Sequence, residues 1–162
     1  MLTAMQRRLQ GQQREGGFTL IELMVVVLII AILIAIAIPT FLGARRRAQD
    51  RAAQSNLRNA LTAEKAYYTD NQRYSADVAA GGALKTIEPS LSWTADGTPA
   101  TAGQVLVSVN AAGDTVTLGA FSASGSCFYL KDAATGAGAG TFYERPAACS
   151  LVSTTTVDDA SW

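Results

Sequence analysis

The sequence predicts an α+β protein: one long N-terminal α-helix whose first half spans a membrane and whose C-terminal half packs on a small antiparallel β-sheet. Three observations carry this. Leu23 to Ile38 is unbroken apolar sequence, and Glu22 is the single charged residue between Phe18 and Leu42. A three-and-four spacing of small and apolar residues then continues as far as Tyr68. Beyond residue 103, short segments alternate apolar and polar residues between glycine-containing turns, the pattern of half-buried strands.

The apolar run is long enough to cross a bilayer, whose hydrocarbon core takes about 20 helical residues. A carboxylate near its start is costly there and points to a function. The segment before it, residues 1–17, is polar and holds Arg7, Arg8, Arg14 and Glu15. An ordinary secretory signal is cut after its apolar segment, at small residues. Here the small pair, Gly16-Gly17, precedes the apolar segment, so a cut at that point removes a leader and keeps the anchor.

Gly17-Phe18-Thr19-Leu20-Ile21-Glu22 resembles the class III signal of type IV pilins and the related pseudopilins of type II secretion systems. The resemblance runs from Gly16 to about Ser75. It implies cleavage between Gly17 and Phe18 by a prepilin peptidase, N-methylation of Phe18 by the same peptidase/methyltransferase, and a role for Glu22 in filament assembly. It also implies the type IV pilin fold, and as partners other copies of the chain, an assembly ATPase and a platform membrane protein. Before assembly the partner of the apolar helix is membrane lipid. The expected location is the inner or cytoplasmic membrane as a single-pass prepilin with a cytoplasmic N-terminus, then an extracellular pilus. Charge alone leaves the orientation ambiguous, because Arg45, Arg46, Arg47 and Arg51 follow the run as Arg7, Arg8 and Arg14 precede it. The Arg45–Arg47 cluster suits outer headgroups, acidic groups on a neighbouring subunit, or a solvated helix face.

Four segments are expected: a cleaved leader over 1–17, a hydrophobic transmembrane and assembly helix over 18–42, an amphipathic second half of the helix over 43–75, and residues 76–162. The last comprises a variable connection, the antiparallel sheet and a disulfide-bounded C-terminal region. In the helix, Ala48, Ala52, Ala53, Leu57, Ala60, Leu61, Tyr67 and Tyr68 mark one face, with Arg58, Asn59, Thr62 and Lys65 between them. Helix is predicted from about Phe18 to about Thr69, on the order of 80 Å at about 1.5 Å per residue. Pro39, with Gly43 four residues on, is its weakest point, a site for a kink or, as in filaments of the resembling family, local melting.

Past the helix, Tyr74 is expected to pack back on the helix end. Residues 76–103, rich in small residues, read as a loose connection anchored by Leu84, Ile87, Leu91 and Trp93. Strands are predicted over Gln104–Val109, Thr115–Phe121, Ser126–Leu130 and Thr141–Glu144, covering Leu57, Leu61 and Tyr68. The two cysteines of the chain, Cys127 and Cys149, suit one disulfide in an oxidising compartment, and the segment between them resembles the disulfide-bounded region of many pilins.

Composition argues against catalysis. The chain has no histidine and balanced charge, 13 basic against 13 acidic side chains, so the commonest general base is missing and no nucleic-acid footprint shows. No nucleophile motif or P-loop occurs. Asp158, Asp159 and Trp162 resemble the C-terminal loop of calcium-binding major pseudopilins. Two aspartates fall well short of the roughly 6–8 oxygen ligands calcium takes, and no metal or cofactor is expected. The expected function is therefore a structural subunit of a type IV pilus, stored in the membrane, cleaved, methylated and polymerised through its N-terminal helix. The alternatives are a type II secretion pseudopilin, or a minor pilin that binds DNA or adheres.

Overall fold

The computed structural model describes residues 17–95 and 101–146, together with Val157 and Trp162. The chain divides into two compact units, Met1–Phe41 and Leu42–Trp162. Helix α1, Leu20–Asn71, contributes to both and is unbroken for 52 residues.

Over Leu20–Phe41, α1 is bare. Every large apolar side chain is exposed, from Leu20 at 74% to Phe41 at 68%, and the most apolar window has none of its surface buried. The helix is long and apolar enough to cross a membrane. Its sequence makes sense only with an apolar environment around it, because in water this surface would be a severe aggregation hazard. Helix continues through Pro39. The missing proline N–H leaves the Ala35 carbonyl without its usual donor, but the Thr40 hydroxyl donates to the adjoining Ala37 and Ile36 carbonyls at 2.8 and 3.2 Å. Hydroxyl side chains commonly satisfy backbone in this way next to prolines in membrane helices.

In the second unit the periodic face of α1 packs on the sheet. Ala53, Leu57, Ala60 and Ala63 are buried, Leu61 and Tyr68 partly so, and Ala52 is exposed. The sheet has five strands in sequence order: β1 Ser92–Ala95, β2 Gln104–Val109, β3 Thr115–Phe121, β4 Cys127–Ala133 and β5 Gly140–Glu144. Val105, Val107, Val116, Leu118, Ala120, Phe128 and Leu130 share one face, as the pairings Val107 with Leu118 and Leu118 with Leu130 require, and form one core with α1.

Three features depart from the expectation. The loose connection contains a short helix α2, Ala83–Ile87, and the edge strand β1. That strand runs parallel to β2, with Trp93 opposite Val105, so the sheet is antiparallel only from β2 to β5. Four residues with one large apolar side chain carry no readable alternation. Strand β1 forms because Trp93 is buried in the core and its indole N–H donates to the Glu88 carbonyl at 3.1 Å. Of the four expected anchors, Leu84, Leu91 and Trp93 are buried but Ile87 stays 40% exposed. The second face of the sheet is also covered, since Leu106, Cys127 and Tyr129 are buried in a smaller cluster with Val157.

The end of α1 is tied to the β2–β3 turn. Asn110 Oδ1 accepts from the backbone N–H groups of Gly113, Asp114 and Thr115. Gly113, at φ +78°, presents its carbonyl to the Tyr74 N–H at 2.8 Å. A Cβ on Gly113 would meet Arg73 Cβ at 3.1 Å, so the turn needs glycine for both its backbone and its neighbour.

Candidate functional site

The apolar helix begins with a reciprocal cap. Thr19 is the residue before the first helical turn, and its hydroxyl accepts from the Glu22 N–H at 3.2 Å. The Glu22 carboxylate reaches back, and Oε2 accepts from the Thr19 backbone N–H at 2.9 Å and the Thr19 hydroxyl at 2.8 Å. This is a capping box, in which two orphan donors of the first turn are satisfied by a Thr/Glu pair three residues apart. Negative charge there also suits the helix dipole. Sequence reasoning singled out Glu22 but missed Thr19, although Thr-x-x-Glu ahead of an apolar run is the signature of such a box.

All three bonds use Oε2 or the Thr19 hydroxyl. Oε1 has no hydrogen-bond partner among the described residues. Phe18, 86% exposed, stands one residue before the cap. Phe18, Ile21, Glu22, Val25 and Val26 line a shallow apolar groove of about 350 Å³, a surface shaped to take another apolar side chain or helix. Gly17 is exposed, and a Cβ added there would meet nothing within 4 Å. The chain's own fold therefore does not demand glycine at this position.

A second cluster lies in the globular unit. Glu64, on the buried face of α1, is fully buried. Its Oε2 accepts the Ser75 N–H at 3.0 Å, and its Oε1 has no partner among the described residues. Burial pushes this carboxyl up to about 7, against the opposing pull of the Ser75 bond. Beside it, the Tyr74 hydroxyl donates to Asp132 Oδ2, the Thr141 hydroxyl donates to Asp132 Oδ1, and Lys65 Nζ pairs with that oxygen at 3.0 Å. Burial, then the Asp132 bond, holds the Tyr74 phenol well above its ordinary value. Tyr74 also lies on Tyr68, with ring centroids 4.7 Å apart. The group joins the helix end to β4 and β5 and has no nucleophile poised by a base.

The remaining predicted residues stand as follows. Pro39 and Gly43 lie within unbroken α1. Cys127 is buried at the start of β4 and is not a free thiol. Cys149, the leader residues before Gly17, and Asp158 and Asp159 lie outside the described residues. Among the described residues no group of three or more histidine, cysteine, aspartate or glutamate side chains is placed to hold a metal.

Residues 12–38, which hold the cap and the apolar helix, match the family described as the prokaryotic N-terminal methylation motif. Over this stretch the chain is similar to type IV pilins and prepilins. The type IV major pilin protein PilA of Myxococcus xanthus is 50% identical over 62 residues, 38% of this chain and 28% of that protein. The type IV wide pilus major component PilA4 of Thermus thermophilus is 47% identical over 64 residues, 40% of this chain and 49% of that protein. The type II secretion system core protein G of Pectobacterium carotovorum is 35% identical over 65 residues, 40% of this chain and 42% of that protein. The chain thus spans about half the length, or less, of these relatives. No solved structure matches it. Its long N-terminal helix followed by a five-stranded sheet fits the α+β type IV pilin fold.

Proposed function

We propose that this chain is a subunit of a type IV pilus, held in the membrane by the first half of α1 and polymerised through it. The observation that carries the reading is the anchor itself: an apolar helix with no burial of its own, begun by a Thr19/Glu22 cap and a groove beside Phe18. The greater identity to two major pilus components than to core protein G supports a pilus over a secretion pseudopilin. Electron microscopy of surface fibres in a deletion strain tests it. Fibres undiminished by the deletion, with secretion lost instead, would favour the pseudopilin reading, which the likeness to core protein G keeps in play.

The assembly step follows from the environment of the helix. Lipid is already apolar, so moving Phe18–Ile38 from bilayer to filament gains little from burial alone. Packing between helices and polar pairing must supply specificity, while an assembly ATPase and a platform membrane protein supply work. Cleavage after Gly17 creates the α-amino group of Phe18, the natural partner for Glu22 in cis or on a neighbouring subunit. N-methylation then falls on Phe18. The region around Pro39 and Gly43 is where α1 bends or melts as the subunit packs.

Gly17→Val tests the cut. Since nothing in the chain's own fold crowds position 17, the substitution should act on the peptidase alone. Intact-mass measurement should find the uncut precursor in the membrane. Wild-type surface material that still carries residues 1–17 would refute the proposed site.

The bridge from Cys127 to Cys149 would close about 23 residues and hold the C-terminal segment on the sheet, worth roughly 3 kcal/mol by chain entropy. Non-reducing peptide mapping of fibres should recover one linked peptide pair. Both thiols free would end the proposal.

A further inference from the structure

Arg45, Arg46 and Arg47 begin three residues after Leu42, the last apolar residue of the anchor, and Arg51 follows within two turns of the same helix. All four are exposed. No acidic residue occurs between Leu23 and Gln49. The nearest carboxylate, Asp50, is already engaged by the Ser124 hydroxyl and by Arg145 at 3.9 Å. No carboxylate among the described residues pairs with Arg45, Arg46 or Arg47. The β3–β4 turn comes up against this part of α1, and the two enclose an open, mainly polar groove of about 300 Å³. It is lined by Leu42, Arg45, Arg46, Gln49, Ala123 and Ser124. Arg47 lies alongside Gly43, its Nη1 3.6 Å from where a Cβ there would sit.

The geometry points to a docking site for the phosphate of an anionic phospholipid headgroup, bound in the groove by Arg45 and Arg46 with Arg47 and Arg51 beside them. Position selects lipid over other anions. Leu42, which follows directly on the apolar run in the chain, lines the groove together with Arg45 and Arg46. A headgroup likewise joins charge to apolar chains. Arginine suits this role because its planar fork takes phosphate oxygens two at a time, and juxtamembrane basic residues gain from anionic leaflets. The same site gives Arg45, Arg46 and Arg47 an anionic partner that no carboxylate among the described residues supplies. Bound lipid would hold the stored subunit in its leaflet, to be released on extraction into a filament. This inference rests on the membrane-anchored state proposed above.

The test uses the full chain in neutral detergent, with native mass spectrometry to count retained lipids. The probes are phosphatidylglycerol and phosphatidylcholine of identical acyl chains, with inorganic phosphate as a separate arm. The wild type should prefer phosphatidylglycerol by about thirtyfold, the scale of two surface arginines at an anionic interface. Arg45→Gln/Arg46→Gln should lose the preference while keeping phosphatidylcholine, and Arg45→Lys/Arg46→Lys should keep part of it. Circular dichroism checks that the variants stay folded. Equal retention of the two lipids by the wild type, or an unchanged preference in the glutamine variant, would overturn the site. Inorganic phosphate displacing the lipid at equal concentration would make it a free-anion site instead, which also overturns it. Loss of fibres in the glutamine variant with no lipid preference in the wild type would assign the patch to a second subunit. A wild type that retains neither lipid in detergent would overturn this site but not the membrane anchor, which detergent can cover in place of lipid.

Discussion

Glu22→Val should leave membrane insertion intact or improved and reduce fibre assembly to a small fraction of wild type. Insertion gains because a charged group near the start of a membrane helix is costly. Leader cleavage should continue, since Gly17 is untouched. Two losses then fall on assembly. The carboxylate's half of the reciprocal cap disappears, the bonds it accepts from the Thr19 N–H and hydroxyl, while the Thr19 hydroxyl still accepts from the residue-22 N–H, so the loss is below the roughly 1 kcal/mol of a whole N-cap. The larger loss follows from the proposed cleavage: the Phe18 amine it would create would enter the packed helices without a carboxylate, and a buried charge stripped of its partner costs roughly 3–5 kcal/mol. Glu22→Gln separates the two. Its amide oxygen can still accept from the Thr19 N–H, so the cap survives and only charge pairing is lost, and assembly should be intermediate. The measurement is sheared fibre against the membrane pool of cleaved subunit. Wild-type yield from Glu22→Val would make the carboxylate a bystander. The electrostatic reason for cleavage preceding assembly would fall with it.

The second large effect is on stability, at Glu64. Its folded pKa, about 7, lies above the ordinary value of 4.5. Between those two values the native state holds a proton that the unfolded chain has released, so stability falls as pH rises. The contribution is fully present below about pH 4.5 and lost by the time pH passes 7. At roughly 1.4 kcal/mol per pKa unit the change is on the order of 3 kcal/mol. The chain has no histidine, so apart from an α-amino group little else ordinarily titrates in this window. Around Glu64 stand the Ser75 N–H, which does not titrate, and the Tyr74 phenol, which burial holds well above its ordinary value. Urea unfolding of the full chain in detergent, followed by tryptophan fluorescence, should give falling stability from pH 5 to pH 8. Glu64→Gln keeps the acceptor for Ser75 and removes the ionisation. It should flatten the profile and exceed wild type at pH 8. A wild-type profile that rises over this range, or a glutamine variant that follows it, would contradict the assignment.

The anchor was legible because its signals are local. Sixteen uninterrupted apolar residues, from Leu23 to Ile38, a glycine pair before them and Glu22 directly ahead of them need no tertiary partner to be read. Period-2 alternation likewise marked β2 and β3 at their observed bounds, since a half-buried strand writes its inner face into every second residue. Strand β4 was marked short, because Lys131 and Asp132 look like the start of a turn. Asp132 instead points inward, where Tyr74, Thr141 and Lys65 satisfy it.

What the amino-acid sequence by itself determined is thus the membrane-length helix, its processing-like start, the face Ala53–Leu57–Ala60 and the period of the central strands. Tertiary structure alone decided the rest. Strand β1 exists because Trp93 finds the core, and it is parallel because of where the chain re-enters the sheet at Gln104. Glu64 looks like one more charge on an exposed helix turn, yet it follows Leu57 and Ala60 on the buried face, so the sheet removes it from water and raises its pKa. The groove at Arg45 and Arg46 needs Ser124, a residue far along the chain, to become a groove at all. Periodicity records which side of an element is buried. Which distant polar group shares that side depends on contacts between residues that no local pattern joins.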